Sequence, residues 1–213
     1  MVELLITSIK ELNSKKVIIC LNYDESFALY KGELRRLHLK EGDVLNESAY
    51  KEIVSALSKR ATKRAMSLLQ TRDYLTEELK SKLRQSYYPE ESIESAINYI
   101  NKYGYLDDRR YVYNYFHFKS ANKSRKVLEL KLIQKGADLA LIKEIADEFY
   151  EDNDSEIKQI VKLVRKKLKL SDDESLESID YASKSKLIAY LFRRGYTMDI
   201  INKALRIVII NYW

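Results

Sequence analysis

Four cations, Lys59, Arg60, Lys63 and Arg64, fall within six residues, and their i, i+4 spacing places them on adjacent rows of a helix. Like charges packed this way repel, so residue type and spacing point to an anion, phosphate or carboxylate, that compensates them. Catalytic chemistry has much less to build on. His38 and His117 are the sole histidines, and the sequence contains no HExxH, CxxC, GxSxG, phosphate loop or dinucleotide fingerprint. Asp107 and Asp108 are adjacent carboxylates with no third ligand nearby, which makes a poor metal site and a good helix cap. No enzyme activity, cofactor or metal is therefore expected. His117, among Tyr113, Tyr115, Phe116 and Phe118, reads as a partly buried neighbour of aromatic rings. The 17 tyrosines include candidates for stacking on nucleic-acid bases, but Tyr87, Tyr99, Tyr103 and Tyr111 fall where helix packing calls for large apolar groups.

The net charge of +6 is unevenly placed. Residues 59–135 hold 17 basic against 9 acidic side chains, while the flanks hold 8 against 9 and 13 against 14. The excess therefore sits in the middle and suggests one electropositive face aimed at an acidic or nucleic-acid partner. A lysine-rich solvated surface is the alternative. The single cysteine, Cys20, forbids an internal disulfide, no apolar run approaches a membrane span, and Met1–Glu3 begins no basic-then-apolar signal. A cytoplasmic protein is expected.

The elements that must position these cations read mainly as helices, since one proline and five glycines are too few for a sheet-rich fold. The exception is the start. Leu4 and Ile6, Val17–Leu21 and Phe27–Tyr30 read as strands, broken at Asn13 and Ser14 and again at Asn22–Asp24. Gly42 and Asp43 close this sheet. Asn46 then caps a long helix with apolar positions Ile53, Leu57, Ala61, Ala65 and Leu68, whose other side carries the basic cluster. A helix over Thr76–Gln85 follows, then Pro89 at a first-turn position and a helix with Ile93, Ala96, Ile97 and Ile100. Gly104 ends that helix in the left-handed conformation, Leu106 covers its end, and Asp107 or Asp108 caps the next.

Self-similarity organises the rest. Leu79 and Leu83, followed by Pro89 and Ile93, align with Leu128, Leu132, Asp138 and Ile142, and again with Leu187, Leu191, Thr197 and Ile201, at offsets of 49 and 59 residues. The link between the apolar runs carries Gly136 in the second copy and Gly195 in the third, where the first has Ser86–Tyr88. An acidic link over 151–154 leads to the third copy, and a polar insertion over 171–175 lengthens its offset. The basic run Arg165–Lys169 ends a helix, where cations suit the helix dipole. The expected fold is mainly α: nine helices in tandem three-helix repeats over 47–106, 107–152 and 153–213, stacked as an elongated array, preceded by a small β-rich N-terminal extension over 1–46.

Arg72 and Asp73, Glu78, Leu79 and Leu83, the run Gly104–Asp108 with Arg110 and Tyr111, and Lys123–Lys126 preceding Leu132 and Gln134–Gly136 together resemble the RecX family of RecA regulators. The likeness covers roughly residues 52–150 and extends to the third repeat through Leu191 and Arg194–Tyr196. The start, with Phe27–Leu29 and Leu39–Gly42, is similar to the N-terminal extension of family members from low-GC Gram-positive bacteria. Leu75 stands where the family often has a Ser or Thr cap, and Lys131 replaces a frequent Glu.

The resemblance implies a non-enzymatic, monomeric protein that binds the RecA filament on single-stranded DNA. It also implies inhibition of the filament's recombinase, ATPase and coprotease activities, and so a place in DNA repair and recombination. The contact surface it suggests comprises Lys59, Arg60, Lys63, Arg64 and Arg72 in the first repeat and Arg109, Arg110, Lys123, Arg125 and Lys126 in the second. A single-stranded nucleic-acid binder acting independently of RecA, and a scaffold for another acidic partner, are the alternatives.

Overall fold

Alternating apolar residues build the N-terminal sheet in the computed structural model, which describes residues 4–22, 25–151, 154–171 and 175–210. Strands β1 (Leu4–Glu11), β2 (Lys16–Leu21) and β3 (Ser26–Tyr30) pair antiparallel, with the two-residue β4 (Val44–Leu45) on the far side of β1, in the order β3-β2-β1-β4. Register Ile9↔Ile19 and Ile19↔Phe27 holds the sheet together. Asn13 tightens the first hairpin, its Oδ1 accepting from the N–H groups of Lys15 (2.9 Å) and Lys16 (3.0 Å). The period of two turns Ile6, Val17, Ile19 and Leu21 inward, where they pack with Phe27, Leu29 and Leu45 against Ile53 and Leu57.

The short helix α1 (Lys31–Arg36) follows β3 directly and was not legible in the sequence. The long helix α2 (Glu47–Leu69) starts at the expected cap, with Asn46 Oδ1 accepting from Ala49 N–H at 2.8 Å. Its second half buries Ala61 and Ala65 against Leu79 and Leu83 of α3 (Thr76–Arg84) and Ile93, Ala96, Ile97 and Ile100 of α4 (Glu90–Lys102). Pro89 stands one place earlier than expected, as the cap of α4, with its carbonyl accepting from Ile93 N–H at 3.0 Å. Leu75 occupies the cap position of α3 and offers no side-chain bond there; it is fully buried instead.

Helices α5 (Asp108–Lys119), α6 (Arg125–Gln134), α7 (Leu139–Phe149), α8 (Asp154–Leu168), α9 (Tyr181–Arg193) and α10 (Met198–Val208) complete the described residues. The last three enclose Ile160, Val164, Leu187, Leu191, Ile201, Leu205 and Val208. Packing divides the chain into two compact units, Met1–Asp107 and Asp108–Trp213. Tyr23 and Asp24 of the break after β2, Asp152 and Asn153 of the acidic link, and 172–174 of the polar insertion lie outside the described residues. No helix of the described residues is long and apolar enough to cross a membrane.

The three aligned links share one backbone geometry. Tyr88 N–H donates to Leu83 O (3.3 Å), Ala137 N–H to Leu132 O (3.0 Å) and Tyr196 N–H to Leu191 O (3.4 Å). The preceding residue in each case donates to the carbonyl three back, giving three equivalent Schellman turns. Gly136 and Gly195 meet the left-handed requirement of this turn at φ 87° and 89°. Tyr87 meets it with a side chain, at φ 59°, and its carbonyl accepts from Ala28 N–H at 3.0 Å, fastening the turn to β3. Leu83, Leu132 and Leu191, which open the three turns, have no solvent exposure.

Candidate functional site

The basic cluster on α2 splits in two. Lys59, Lys63 and Arg64 are exposed and make no ion pair among the described residues. Arg60 turns the other way: its Nη1 donates to Glu33 Oε2 at 2.9 Å, its Nη2 to Glu33 Oε1, and its guanidinium lies 5.0 Å from the centre of the Tyr30 ring. This planar fork ties α2 to α1, and the bond to Arg60 holds the Glu33 carboxyl below the usual range while Arg60 is raised. Arg60 is thus not part of the expected solvent-facing cluster, because α1 supplied a carboxylate the sequence did not reveal.

Several other arginines of the expected surface also have acidic neighbours. Arg72 donates to Glu78 Oε1 at 2.7 Å and to Asp73 O at 3.0 Å, stacked 3.6 Å from the centre of buried Tyr74. Arg109 on α5 bridges Glu144 (2.6 Å) and Glu148 (2.9 Å), which stand one turn apart on α7. Arg125 donates to Glu129 (2.7 Å) and Asp147 (2.5 Å). Arg110 is exposed on α5. Lys126 is exposed and makes no ion pair among the described residues, and half-buried Lys123 sits against Lys131, whose ammonium pushes it below the usual lysine range. Of the expected residues, Lys59, Lys63 and Arg64 in the first unit and Lys126 in the second are exposed cations that make no ion pair among the described residues, while half-buried Lys123 sits against Lys131.

Tyrosines are the residues that sequence reasoning misplaced. Tyr99 and Tyr103 are about half exposed, at 49% and 56%, and Tyr87 is on the surface too. The reason is helical phase. The buried stripe of α4 runs through Ile93, Ala96, Ile97 and Ile100, and Tyr99 and Tyr103, four apart, lie on another row. Tyr99 packs on Tyr103 with ring centres 4.8 Å apart, and Tyr103 on Tyr105 at 6.5 Å. His117 is exposed rather than partly buried, parallel to Tyr113 at 6.4 Å and edge-on to Phe118 at 5.2 Å. Among the described residues no group of three or more His, Cys, Asp or Glu side chains is arranged to hold a metal ion.

An N-terminal sheet followed by recurring helix–turn–helix units with exposed cations defines a helical-repeat protein. The comparisons give that class its family. Residues 154–205 match the family model described as the third three-helix domain of RecX. The chain is 30% identical over 203 residues to the regulatory protein RecX of Bacillus velezensis, covering 93% of this chain and 74% of that one. It is 28% identical over 205 residues to that of Clostridium acetobutylicum, covering 94% of each. The chain belongs to the RecX family. A crystal structure of regulatory protein RecX shares the fold at a TM-score of 0.61 and 18% identity, over 95% of this chain and 98% of that one. RecX from Lactobacillus salivarius does so at 0.62 and 21%, over 72% and 97%.

Proposed function

We propose that this protein regulates the RecA recombinase by binding its filament on single-stranded DNA and restraining recombination, ATP hydrolysis and coprotease activity. The observation that carries this reading is the row of Lys59, Lys63 and Arg64, three exposed cations without a carboxylate partner among the described residues, on one long helix of a RecX-family chain. Their mutual repulsion is relieved by an anionic partner, whether acidic protein surface or phosphate. Lys123 and Lys126 form the second contact. Arg60, Arg72, Arg109 and Arg125 act within the fold, since each already meets a carboxylate. The three-helix units over 47–106, 107–152 and 153–213 present these contacts, and the protein works in the cytoplasm as a regulator without chemistry of its own. A strand-exchange assay with the cognate RecA tests the reading. Joint-molecule formation should fall as the protein is added, and unchanged or stimulated exchange would contradict it.

A further inference from the structure

Helices α2 and α4 run side by side, with buried Ser92 of α4 donating its hydroxyl to Val54 O at 3.2 Å. Outside that contact they leave a groove whose wider part, about 500 Å³, is lined by Lys59 and Lys63 on one wall, Tyr99 on the other, and Ser58, Thr62 and Ser95 between. Ser58 donates its hydroxyl to Val54 O (2.8 Å) and Thr62 to Ser58 O (2.9 Å). These hydroxyls are thus turned into the helix, and the floor offers mainly methylene and methyl surface. Beyond Tyr99 the rings continue. Tyr103 ends α4, and the left-handed turn at Gly104 brings Tyr105 back beside Tyr103, so three rings, each about half exposed, follow one another from the mouth of the groove.

From this juxtaposition we infer that the α2–α4 groove is a contact for the single strand itself, with Tyr99 and Tyr103 stacking bases and Lys59 and Lys63 taking the adjoining phosphates. Every base has a π-face, so a tyrosine ladder binds without sequence preference, and a cationic wall beside it follows the backbone. Charge complementarity selects this occupant over a protein surface. Unpaired lysines are depleted at the centre of protein interfaces, where their desolvation is costly, whereas phosphates leave the ammonium groups partly hydrated. The inference rests on the proposed reading in that the strand is the one the RecA filament carries, and it adds that DNA, not only RecA, is touched.

The test is fluorescence anisotropy of a labelled oligothymidylate titrated with the full chain in the absence of RecA. Tyr99→Ala with Tyr103→Ala should weaken binding by at least about fivefold for each base released. Tyr99→Phe with Tyr103→Phe should retain it, since the π-face remains. Lys59→Gln with Lys63→Gln should reduce the slope of log K against log salt by about 1.4, at roughly 0.7 per phosphate on a single strand. Ultraviolet cross-linking to an iodouracil oligonucleotide should place the adduct on Tyr99 or Tyr103. Oligonucleotide affinity unchanged by the double alanine variant overturns the inference. So does a variant that keeps oligonucleotide affinity but loses binding to DNA-free RecA, which would make the rings a protein contact. Failure of the regulatory reading registers separately, as strand exchange unaffected by a wild-type protein that still binds the oligonucleotide through its tyrosines.

Discussion

Glu156 of α8 accepts a hydrogen bond from the backbone N–H of Arg125, the first residue of α6, at 2.8 Å. The cap position of α6 is held by Ser124, yet Ser124 makes no cap bond: its hydroxyl donates instead to Arg194 O at 2.8 Å. A carboxylate from the following repeat therefore serves a helix start that its own cap has abandoned, and Ser124 fastens the turn after α9. Both residues are buried, at 3% and 1% exposure. Tyr196, pushed up to about 12 chiefly by burial, donates to Gln159 Oε1 at 2.8 Å in the same region.

Burial raises the Glu156 carboxyl above its ordinary 4.5, opposed by the Arg125 N–H and guanidinium and reinforced by Glu129. A raised acid binds its proton more tightly folded than unfolded. Its contribution to stability is thus full below the unfolded value and lost as pH rises through the folded one. Glu156→Gln keeps an acceptor and removes the charge, so it should match or exceed wild-type stability at neutral pH, with the difference growing as pH rises from about 4.5 and then levelling. Glu156→Ala strands the Arg125 N–H and should cost about 1–3 kcal/mol. Urea midpoints across this pH range check both. A wild-type advantage over Gln that grows with pH would reverse the sign.

Gly195 is closed to any side chain. A Cβ there would meet Ser124 Oγ at 2.8 Å and Val127 Cγ2 at 3.2 Å, and φ is 89°. Gly195→Ala should therefore destabilise by about 1–3 kcal/mol, from backbone strain and the forced shift of Ser124. Adding Ser124→Ala should recover part of the steric cost, although it forfeits the bond to Arg194 O. Strict additivity of the two substitutions in thermal denaturation would show that they do not touch.

Leu83, Leu132 and Leu191 open equivalent turns and are fully buried. Each Leu→Ala change should cost about 2–5 kcal/mol. A change within measurement error at any one of them would break the equivalence.

The repeat was legible because leucines at helical spacing and glycines at turn positions are local signals, and the backbone bears them out down to Tyr87 in the glycine position. The strands, the Asn46 cap and the turn at Gly104 were legible for the same reason. What escaped depends on distance in sequence. Helix α1 is six residues long and β4 is two, held by the pairings Leu4↔Leu45 and Leu5↔Val44, and neither carries a periodic pattern. The basic cluster looked uniform because Glu33, which captures Arg60, lies 27 residues upstream. Tyr99 and Tyr103 were assigned to packing by residue type, although the phase of Ile93, Ala96, Ile97 and Ile100 already placed them on another row.

Arg60→Gln separates fold from function within that cluster. Losing a half-buried fork to Glu33 should cost about 1–2 kcal/mol. Neutralising Lys59, Lys63 and Arg64 together should leave the thermal midpoint nearly unchanged, because solvent-facing charges contribute little to folding. Equal losses in the two variants would mean that the three exposed cations have partners in the fold.

The central claim is that Lys59, Lys63 and Arg64 meet the RecA filament, and RecA-dependent ATP hydrolysis on single-stranded DNA tests it most directly. Wild type and the Lys59→Gln, Lys63→Gln, Arg64→Gln variant are titrated into preformed filaments of the cognate RecA at two salt concentrations. The wild-type protein should suppress hydrolysis, and the variant, equally well folded, should need a markedly higher concentration to do so, with the gap narrowing as salt screens the wild-type contact. Equal potency of the two proteins, or a wild type without effect on hydrolysis, would contradict the account.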